Sequence, residues 1–302
     1  MFSYRHAYHA GNHADVLKHA ALVCILKYLT RKDTALQVID THAGAGLYRL
    51  DGEQANTSAE AQTGILKLAS QRGWGEAASG TLLADYAQML RGFNAPRGGA
   101  AGAGVPLRSY PGSPLIAASL LRDHDRLHAF EVHPTDQRLL RGLMAKRDTR
   151  GIATLHVADG FEGVRPLLPP TSRRGLLVCD PSYEIKSDYG KVVQLLEEAL
   201  RRFATGCALI WLPIVARPEA HDLPRKLKNA CARAGKPWLY ASLSVKSGQS
   251  NARGVPVGLS GSGIFVLNPP FVLEPALREA LPQLVQALKQ DAHAGFALET
   301  GG

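Results

Sequence analysis

The sequence has few cysteines and no long apolar run. Its 302 residues include four cysteines and no CxxC pair, so we expect neither a disulfide framework nor a zinc site, and a reducing cytoplasm as the setting. No stretch of about 18 uninterrupted apolar residues is present, which argues against a membrane span. The N-terminus lacks the apolar core and small cleavage residues of a signal peptide. These absences indicate a cytoplasmic globular protein without membrane contact.

Two common active-site motifs are absent or incomplete. No HExxH occurs, although His9 and His13 are four residues apart, so we expect no metal centre. The stretch "DTHAGAG" (40–46) holds only the first part of the dinucleotide fingerprint GxGxxG, because Arg49 stands where the third glycine is required. A nicotinamide oxidoreductase is therefore disfavoured.

Positive charge is in excess. The formal net charge is +9 and the pI is about 9.5, and a basic surface attracts polyanions such as rRNA. The N-terminal stretch "YRHAYHAGNHADVLKH" (4–19) interleaves histidine, cationic and aromatic side chains. This pattern is typical of contact with RNA phosphates and bases, and Lys18 and His19 could face a ligand pocket. A plain amphipathic helix with a polar face is the alternative interpretation, chiefly for residues 20–30.

Apolar runs of strand length recur along the chain, and helical patterns separate most of them. The runs lie at 35–42, 126–133, 153–160, 175–182, 207–214, 240–246 and 263–270. The alternation predicts βαβ units and an α/β fold with a doubly wound, mostly parallel sheet of these seven strands. The Gly- and Ser-rich connection before the last run has no helical pattern, so we expect that strand to run antiparallel.

The interval between the first two predicted strands is too long for one βαβ unit. It spans 43–125, whereas a whole unit needs roughly 30 residues. Helical patterns at 59–71 and 81–93, followed by a Gly/Ala-rich loop at 98–104, predict an inserted helical subdomain. We therefore divide the chain at 1–46 (N-terminal segment and first part of the main domain), 47–110 (insertion) and 111–302 (remainder of the main domain).

Polar residues end four successive predicted strands, where open α/β sheets bind their ligands. They are Asp40, His42, Gly44 and Gly46 after the first strand, Glu131 after the second, Asp159 and Gly160 after the third, and Asp180 after the fourth. This set is typical of an S-adenosyl-L-methionine pocket. The glycines make room for the methionine moiety, one acid binds the ribose, and another acid together with a backbone amide binds the adenine. The ordered set predicts a methyltransferase whose fourth strand faces the acceptor.

The fourth strand ends in "DPSY" (180–183), which favours an adenine amine as the acceptor. The lone pair of this amine is delocalised, and two hydrogen-bond acceptors aimed at its hydrogens localise it and stabilise the developing positive charge. Asp180 supplies one acceptor and the Pro181 carbonyl the other, while Tyr183 can stack on a flipped base. The alternatives are a helix N-cap for Asp180 and simple packing for Tyr183.

A second stretch, "NPPF" (268–271), has a similar pattern. It ends the strand that we expect to run opposite to the others, so Asn268 would lie at the wrong edge of the sheet. We interpret its prolines as closing that strand.

The motifs together resemble those of the RlmJ family of bacterial 23S rRNA adenine-N6-methyltransferases. They are "YRHAYHAGNHADVLKH", "DTHAGAG", "YPGSPLIA", "EVHP", "ADGF", "RRGLLVCDPSYE" and "SGIFVLNPP". The resemblance extends from the N-terminus to about residue 270. It implies a Rossmann-like class I methyltransferase fold, S-adenosyl-L-methionine as the methyl donor without a metal, and one adenine of 23S rRNA as the target.

The resemblance also implies roles for individual residues. Around the cofactor it places His19, His42, Ser113, Glu131, Asp159 and Gly160. Asp180 would be the catalytic residue and Tyr4 an RNA contact, with His6 and Lys18 as further candidates. Ser113 is equally suited to an N-cap. The family pattern Asp-Pro-Pro-Tyr is altered at Ser182, which we expect to keep activity and loosen the loop, because this position contributes only its backbone.

Two other functions remain open from the residues alone. A DNA adenine-N6 methyltransferase would use identical chemistry, and RNA is preferred to DNA only through the resemblance. A non-catalytic RNA-binding protein could use the same fold, although Asp180 together with the GxG motif argues against it. The expected partner is 23S rRNA, naked or partly assembled, and a monomer is expected because no interface pattern stands out.

Overall fold

The computed structural model describes residues 5–52, 57–74, 80–96, 105–146, 152–248 and 258–302. The strands are β1 Gln37–Asp40, β2 Leu47–Arg49, β3 Ser109–Pro111, β4 Arg126–Phe130, β5 Ala153–His156, β6 Gly175–Cys179, β7 Cys207–Ile214, β8 Trp238–Ser244, β9 Gly261–Leu267 and β10 Gly295–Gly301. The helices are α1 His13–Leu29, α2 Glu60–Thr63, α3 Ile65–Ala69, α4 Leu82–Asn94, α5 Ser113–Leu120, α6 Pro134–Lys146, α7 Gly160–Gly163, α8 Ser187–Arg202, α9 Pro218–Arg233 and α10 Leu273–Leu288.

The large sheet has the strand order β10-β8-β9-β7-β6-β1-β4-β5. Strands β5, β4, β1, β6 and β7 pair in parallel, which confirms the predicted doubly wound α/β class. The chain continues from β1 to β4 on one side and returns to β6 on the other. This reversal opens a crevice beyond the carboxyl ends of β1 and β6, the usual ligand position in such sheets.

The predicted direction of the seventh strand is confirmed, but the predicted strand count is wrong. Strand β9 lies between β7 and β8 and is antiparallel to both. Among the described residues the large sheet has eight strands, because β10 adds to the free edge of β8. Its sequence, "GFALETG", lacks a continuous apolar run since an edge strand stays partly exposed.

Side chains that alternate along the central strands fill two separate cores. In β1, Val38 packs into the core on the side of α1 and α10, whereas Ile39 packs into the core on the side of α8 and α9. Burial on both faces explains the near-continuous apolar runs of these strands. Helix α1 is itself buried along most of its length. The alternative of an amphipathic helix with a polar face is therefore wrong, since Asp15, Lys18 and His19 are buried and most of 20–26 is buried as well.

A two-stranded ladder closes the ends of the predicted insertion. Strand β2 pairs antiparallel with β3, so that Leu47 lies opposite Pro111. Between them, Leu82, Tyr86 and Leu90 of α4 pack into the same core as α1. The Gly/Ala-rich loop 98–104 lies outside the described residues.

Candidate active site

The turn after β1 requires glycine at two positions. Gly44 and Gly46 have φ angles of 62° and 81°, which side chains with a Cβ rarely adopt. A Cβ on Gly44 would lie 2.3 Å from the Tyr48 hydroxyl. The Gly44 N–H donates to Glu131 Oε2 at 2.7 Å, so this turn joins the ends of β1 and β4.

A cavity of about 200 Å³, here called the donor cavity, lies against this turn. Its lining includes six of the residues predicted to hold the cofactor, namely His19, His42, Gly44, Ser113, Glu131 and Asp180. Three others stand outside the lining. The Asp159 carboxylate caps α7 by accepting from Phe161 N at 2.9 Å, Gly160 packs on the Thr41 carbonyl, and Gly46 packs on Leu140.

Glu131 is held by backbone donors but keeps free acceptor capacity. Oε2 accepts from Gly44 N and Oε1 accepts from His133 N, both at 2.7 Å. Burial raises the pKa of Glu131, and these two hydrogen bonds oppose that shift. Each carboxylate oxygen retains a second lone pair, so the group can still accept from sugar hydroxyls.

Two histidines of the donor cavity are neutral at ordinary pH. Burial lowers the pKa of His19 to about 3 and that of His42 to about 4. His19 Nδ1 lies 2.9 Å from the Tyr110 hydroxyl, and His42 Nδ1 lies 2.7 Å from Thr41 Oγ1. Neutral imidazoles at these positions would not repel a cationic ligand.

Asp40 carries an unmatched acceptor next to the donor cavity. Burial raises the pKa of Asp40 to about 6, although a hydrogen bond from Ser113 opposes the shift. Within the described parts of the chain, its buried Oδ2 has no hydrogen-bond partner. Ser113, which forms the hydrogen bond to Asp40, lines the cavity, whereas Asp40 itself lies behind this lining.

The carboxylate of Asp180, just beyond β6, contacts a buried lysine. Lys18 Nζ binds Asp180 Oδ2 and also Asp15 Oδ1, the latter at 2.8 Å. Burial alone would lower the pKa of Lys18, but the two carboxylates raise it, so the side chain stays a cation. The helix α1 thus delivers a positive charge directly to the predicted catalytic group.

Asp15 is a further residue of this site, and no sequence motif pointed to it. Its Oδ2 accepts from Gly11 N at 2.9 Å and from His6 Nε2 at 3.0 Å. Although burial opposes it, the neighbouring His6 and Lys18 side chains hold the pKa of Asp15 well below its usual range. The spacing of Asp15 and Lys18, three apart on a helix, was the available signal.

A second cavity of about 410 Å³, here called the acceptor cavity, lies on the other side of Asp180. Among its lining residues are Trp211, Arg217 and Tyr189. The two cavities share His6, Lys18, Asp180, Ser182 and Glu184. The carboxylate therefore stands at the boundary between two ligand-sized spaces, as a transfer between two bound molecules requires.

The loop after Asp180 is packed rather than open. Tyr183 has a φ of 54° and is 2% exposed, and its hydroxyl donates to the Trp211 carbonyl at 2.7 Å. Its ring packs on Tyr189 and Trp211, with centroids 4.7 and 5.6 Å away. In this structure the Tyr183 ring therefore packs against protein side chains. Tyr183 also lines the acceptor cavity, and its stacking on a base stays a prediction. Pro181 is also buried, and Ser182 is half-buried.

Two of the three predicted RNA contacts, His6 and Lys18, are among the described residues. His6 belongs to a short 3-10 turn, His6–Tyr8, and its ring meets Tyr48 edge-on at 5.1 Å. His6 and Lys18 line both cavities. Tyr4 lies outside the described residues.

The rival motif lies at the opposite edge of the sheet. The Asn268 amide donates to the carbonyls of Ala204 and Gly206, at 3.0 and 2.7 Å, just before β7 begins. Strand β9 runs against β7, so its end faces away from both cavities. Asn268 thus links the end of β9 to the segment that leads into β7.

Metal-binding clusters and membrane-spanning helices are both absent from the described residues. No group of three or more His, Cys, Asp or Glu side chains there could hold a metal ion. No helix in those ranges is long and apolar enough to cross a membrane.

Comparison with known proteins gives consistent matches. The family model described as "Ribosomal RNA large subunit methyltransferase D, RlmJ" matches residues 33–299. A "Ribosomal RNA large subunit methyltransferase J" from Escherichia coli is 41% identical over 94% of this chain and 93% of its own length. The protein of that name from Haemophilus influenzae is 38% identical over 99% of this chain and 98% of its own length. A crystal structure of a Legionella pneumophila protein has a TM-score of 0.81 at 29% identity, covering 97% of this chain and 98% of that one.

Proposed function

The chain belongs to the RlmJ family of ribosomal RNA large subunit methyltransferases, and on this premise we propose that it methylates the N6 amine of one adenine in 23S rRNA. The resemblance first carried by its motifs is confirmed, and the chain is an rRNA methyltransferase. The family does not favour the two alternatives, a DNA methyltransferase and a non-catalytic RNA-binding protein. The finer proposal is carried by the position of Asp180 between the donor and acceptor cavities.

The donor cavity suits S-adenosyl-L-methionine, which supplies an electrophilic methyl group on a sulfonium centre. Glu131 would hold the ribose hydroxyls, while Gly44 lets the backbone approach the ligand. His19 and His42 would line the cavity as neutral rings. Asp159 and Gly160 remain proposed for the adenine end of the cofactor. The donor already carries the electrophile, so we propose that no metal takes part.

On the acceptor side, Asp180 would accept a hydrogen bond from the target amine. The Pro181 carbonyl would accept the second one, so that the nitrogen lone pair is freed from the ring and faces the donor cavity. Lys18 holds the carboxylate in place from the side of α1. Asp180 is then positioned to take the proton that the amine loses.

The substrate must bring a single base to the acceptor cavity. An adenine inside a helix cannot reach Asp180, so the target base leaves its stack or lies in an unpaired segment. The charge of +9 favours a polyanionic partner. We propose that His6, Lys18 and Tyr4 contact the RNA, and that the protein acts as a cytoplasmic monomer on naked or partly assembled 23S rRNA.

A transfer assay tests this proposal. The protein is incubated with S-adenosyl-L-methionine labelled in the methyl group and with protein-free 23S rRNA, assembled large subunits or DNA. Nucleosides from the digested product are then separated. We expect N6-methyladenosine from RNA only, its loss in Asp180→Ala, and its retention in the control Asn268→Ala. Label in DNA but not in RNA would refute the substrate, and full activity of Asp180→Ala would refute the assigned residue.

A further inference from the structure

Two segments far apart in the chain, 8–12 and 58–65, are held together by polar contacts. The Glu60 carboxylate accepts from the His9 ring and from the Asn12 amide, each at 2.9 Å. The backbone N–H of Ile65 donates to the Gly11 carbonyl at 2.7 Å. The first segment precedes α1, and the second belongs to the predicted insertion. The insertion therefore binds the residues that lead into α1.

The two backbones approach so closely that glycine is required between them. A Cβ on Gly64 would lie 2.1 Å from the Gly11 carbonyl oxygen and 2.7 Å from Asn12 Cα. Both of these are backbone atoms, which cannot swing aside as a flexible side chain can. Any larger residue at Gly64 would therefore push 11–12 away from the insertion.

The segment that the insertion holds leads directly to the charged residues beside Asp180. Asn12 caps α1, and its side-chain oxygen accepts from Ala14 N at 2.9 Å and from Asp15 N at 3.0 Å. Gly11 N donates to the Asp15 carboxylate, which in turn binds Lys18. A shift of 11–12 would be passed on to the first turn of α1.

The same contact also shapes the acceptor cavity. His9, Asn12 and Glu60 line this cavity together with Asp180. One wall of the space for the target base thus comes from the insertion, and it is joined to the N-terminal segment through Glu60.

We propose that Glu60 and Gly64, on the insertion, are positioning residues for methyl transfer. They hold 9–12 so that Lys18 and the wall of the acceptor cavity face Asp180. This inference rests on the proposed function. Glu60 and His9 are each more than a third exposed as side chains, so this pair alone adds little stability. The effect is on geometry, because a displacement of about 1 Å can slow an enzymatic step up to roughly a hundredfold.

Three variants and two matched controls test the proposal. Gly64→Ala separates the backbones, Glu60→Ala removes both acceptors, and Glu60→Gln keeps an acceptor without the charge. The controls lie on the same insertion: Gly92→Ala, where an added Cβ meets nothing within 4 Å, and Asp51→Asn, whose partner is the exposed Arg49.

For each protein we would measure kcat and KM with 23S rRNA, the Kd of S-adenosyl-L-methionine by calorimetry, and hydrogen exchange of the 13–18 amides. In Gly64→Ala we expect kcat to fall roughly ten- to a hundredfold, with faster exchange at 13–18. The Kd should change less than kcat, because the turn at Gly44 and the Glu131 carboxylate lie outside the displaced segment, although Lys18 and His19 of α1 also line the donor cavity. Glu60→Ala should lose several-fold in kcat, and Glu60→Gln should recover part of that loss.

The outcomes separate this inference from the proposed function. If the unmodified protein does not methylate adenine in 23S rRNA, the proposed function fails, and the exchange data still decide whether the insertion orders 13–18. If that protein is active while Glu60→Ala and Gly64→Ala match their controls, the inference fails. An equal loss of cofactor binding and of kcat would show general damage and would also overturn it. If Gly64→Ala does not fold, the two variants Glu60→Ala and Glu60→Gln decide the question.

Discussion

The buried charges of Asp15, Lys18 and Asp180 allow a quantitative test of how α1 supports the active site. In Lys18→Met, the apolar stem remains and the cation is removed. The side chains of Asp15, Lys18 and Asp180 are only 2%, 4% and 15% exposed. Breaking a buried ion pair costs about 3–5 kcal/mol, because an uncompensated charge is left behind. Two carboxylates lose the same cation here, so we expect a value near the upper end, about 4–5 kcal/mol.

A double-mutant cycle isolates the interaction from the general effect of substitution. Asp15→Asn keeps the shape of the side chain and removes its charge. This substitution should therefore lower the free energy of unfolding less when Lys18 is already replaced. We expect the double variant to be more stable than additivity predicts by about 2–3 kcal/mol. Urea unfolding at pH 7, followed by circular dichroism, provides the free energies. The control is Lys27→Met on the same helix, whose partly exposed pair with Asp85 should be worth about 1 kcal/mol or less.

Such losses are a large part of a typical stability of about 5–15 kcal/mol, so the single variants should unfold at clearly lower urea concentrations. Additivity within about 0.5 kcal/mol would refute the reasoning. Additivity would mean that Asp15 and Lys18 contribute to stability independently, despite the short distance between their charged groups. A loss in Lys18→Met no larger than in Lys27→Met would refute it as well.

Three further predictions concern other parts of the molecule. Asn268→Ala should destabilise the fold by about 1–3 kcal/mol, since two hydrogen bonds to carbonyls are lost, while methylation per folded molecule stays unchanged; a selective loss of activity would contradict the assignment. Ser182→Pro should retain methylation and raise stability by about 0.4–1 kcal/mol, and abolished transfer would reveal a role for the hydroxyl. Burial lowers the pKa of His19 from 6.5 to about 3. The neutral ring therefore contributes stability that is complete above pH 6.5 and is lost as the pH falls, by roughly 1.4 kcal/mol per pH unit. His19→Gln should flatten the stability–pH curve by that amount between about pH 6.5 and pH 3, and an unchanged slope would show that burial does not lower the pKa of His19.

Most of the fold could be predicted from local patterns. Strands buried on both faces read as continuous apolar runs, and the length of the interval after β1 is what predicts the insertion. Strand direction correctly predicted that Asn268 lies at the opposite edge of the sheet from Asp180, although Asn268 belongs to the motif that fits the family pattern better. Strand β10 was not predicted, because an edge strand carries no continuous apolar run.

The sequence by itself determined which residues end the parallel strands, and with them the class of reaction and six of the residues that line the donor cavity. Side chains that follow neighbouring parallel strands must meet at one edge of the sheet, so order along the chain implies proximity there. Only the tertiary structure decided what stands behind Asp180. Its contact with Lys18 spans 162 positions, and that of Glu60 with His9 spans 51. Contacts of this range depend on how helices pack across a sheet, and no local period in the sequence records them.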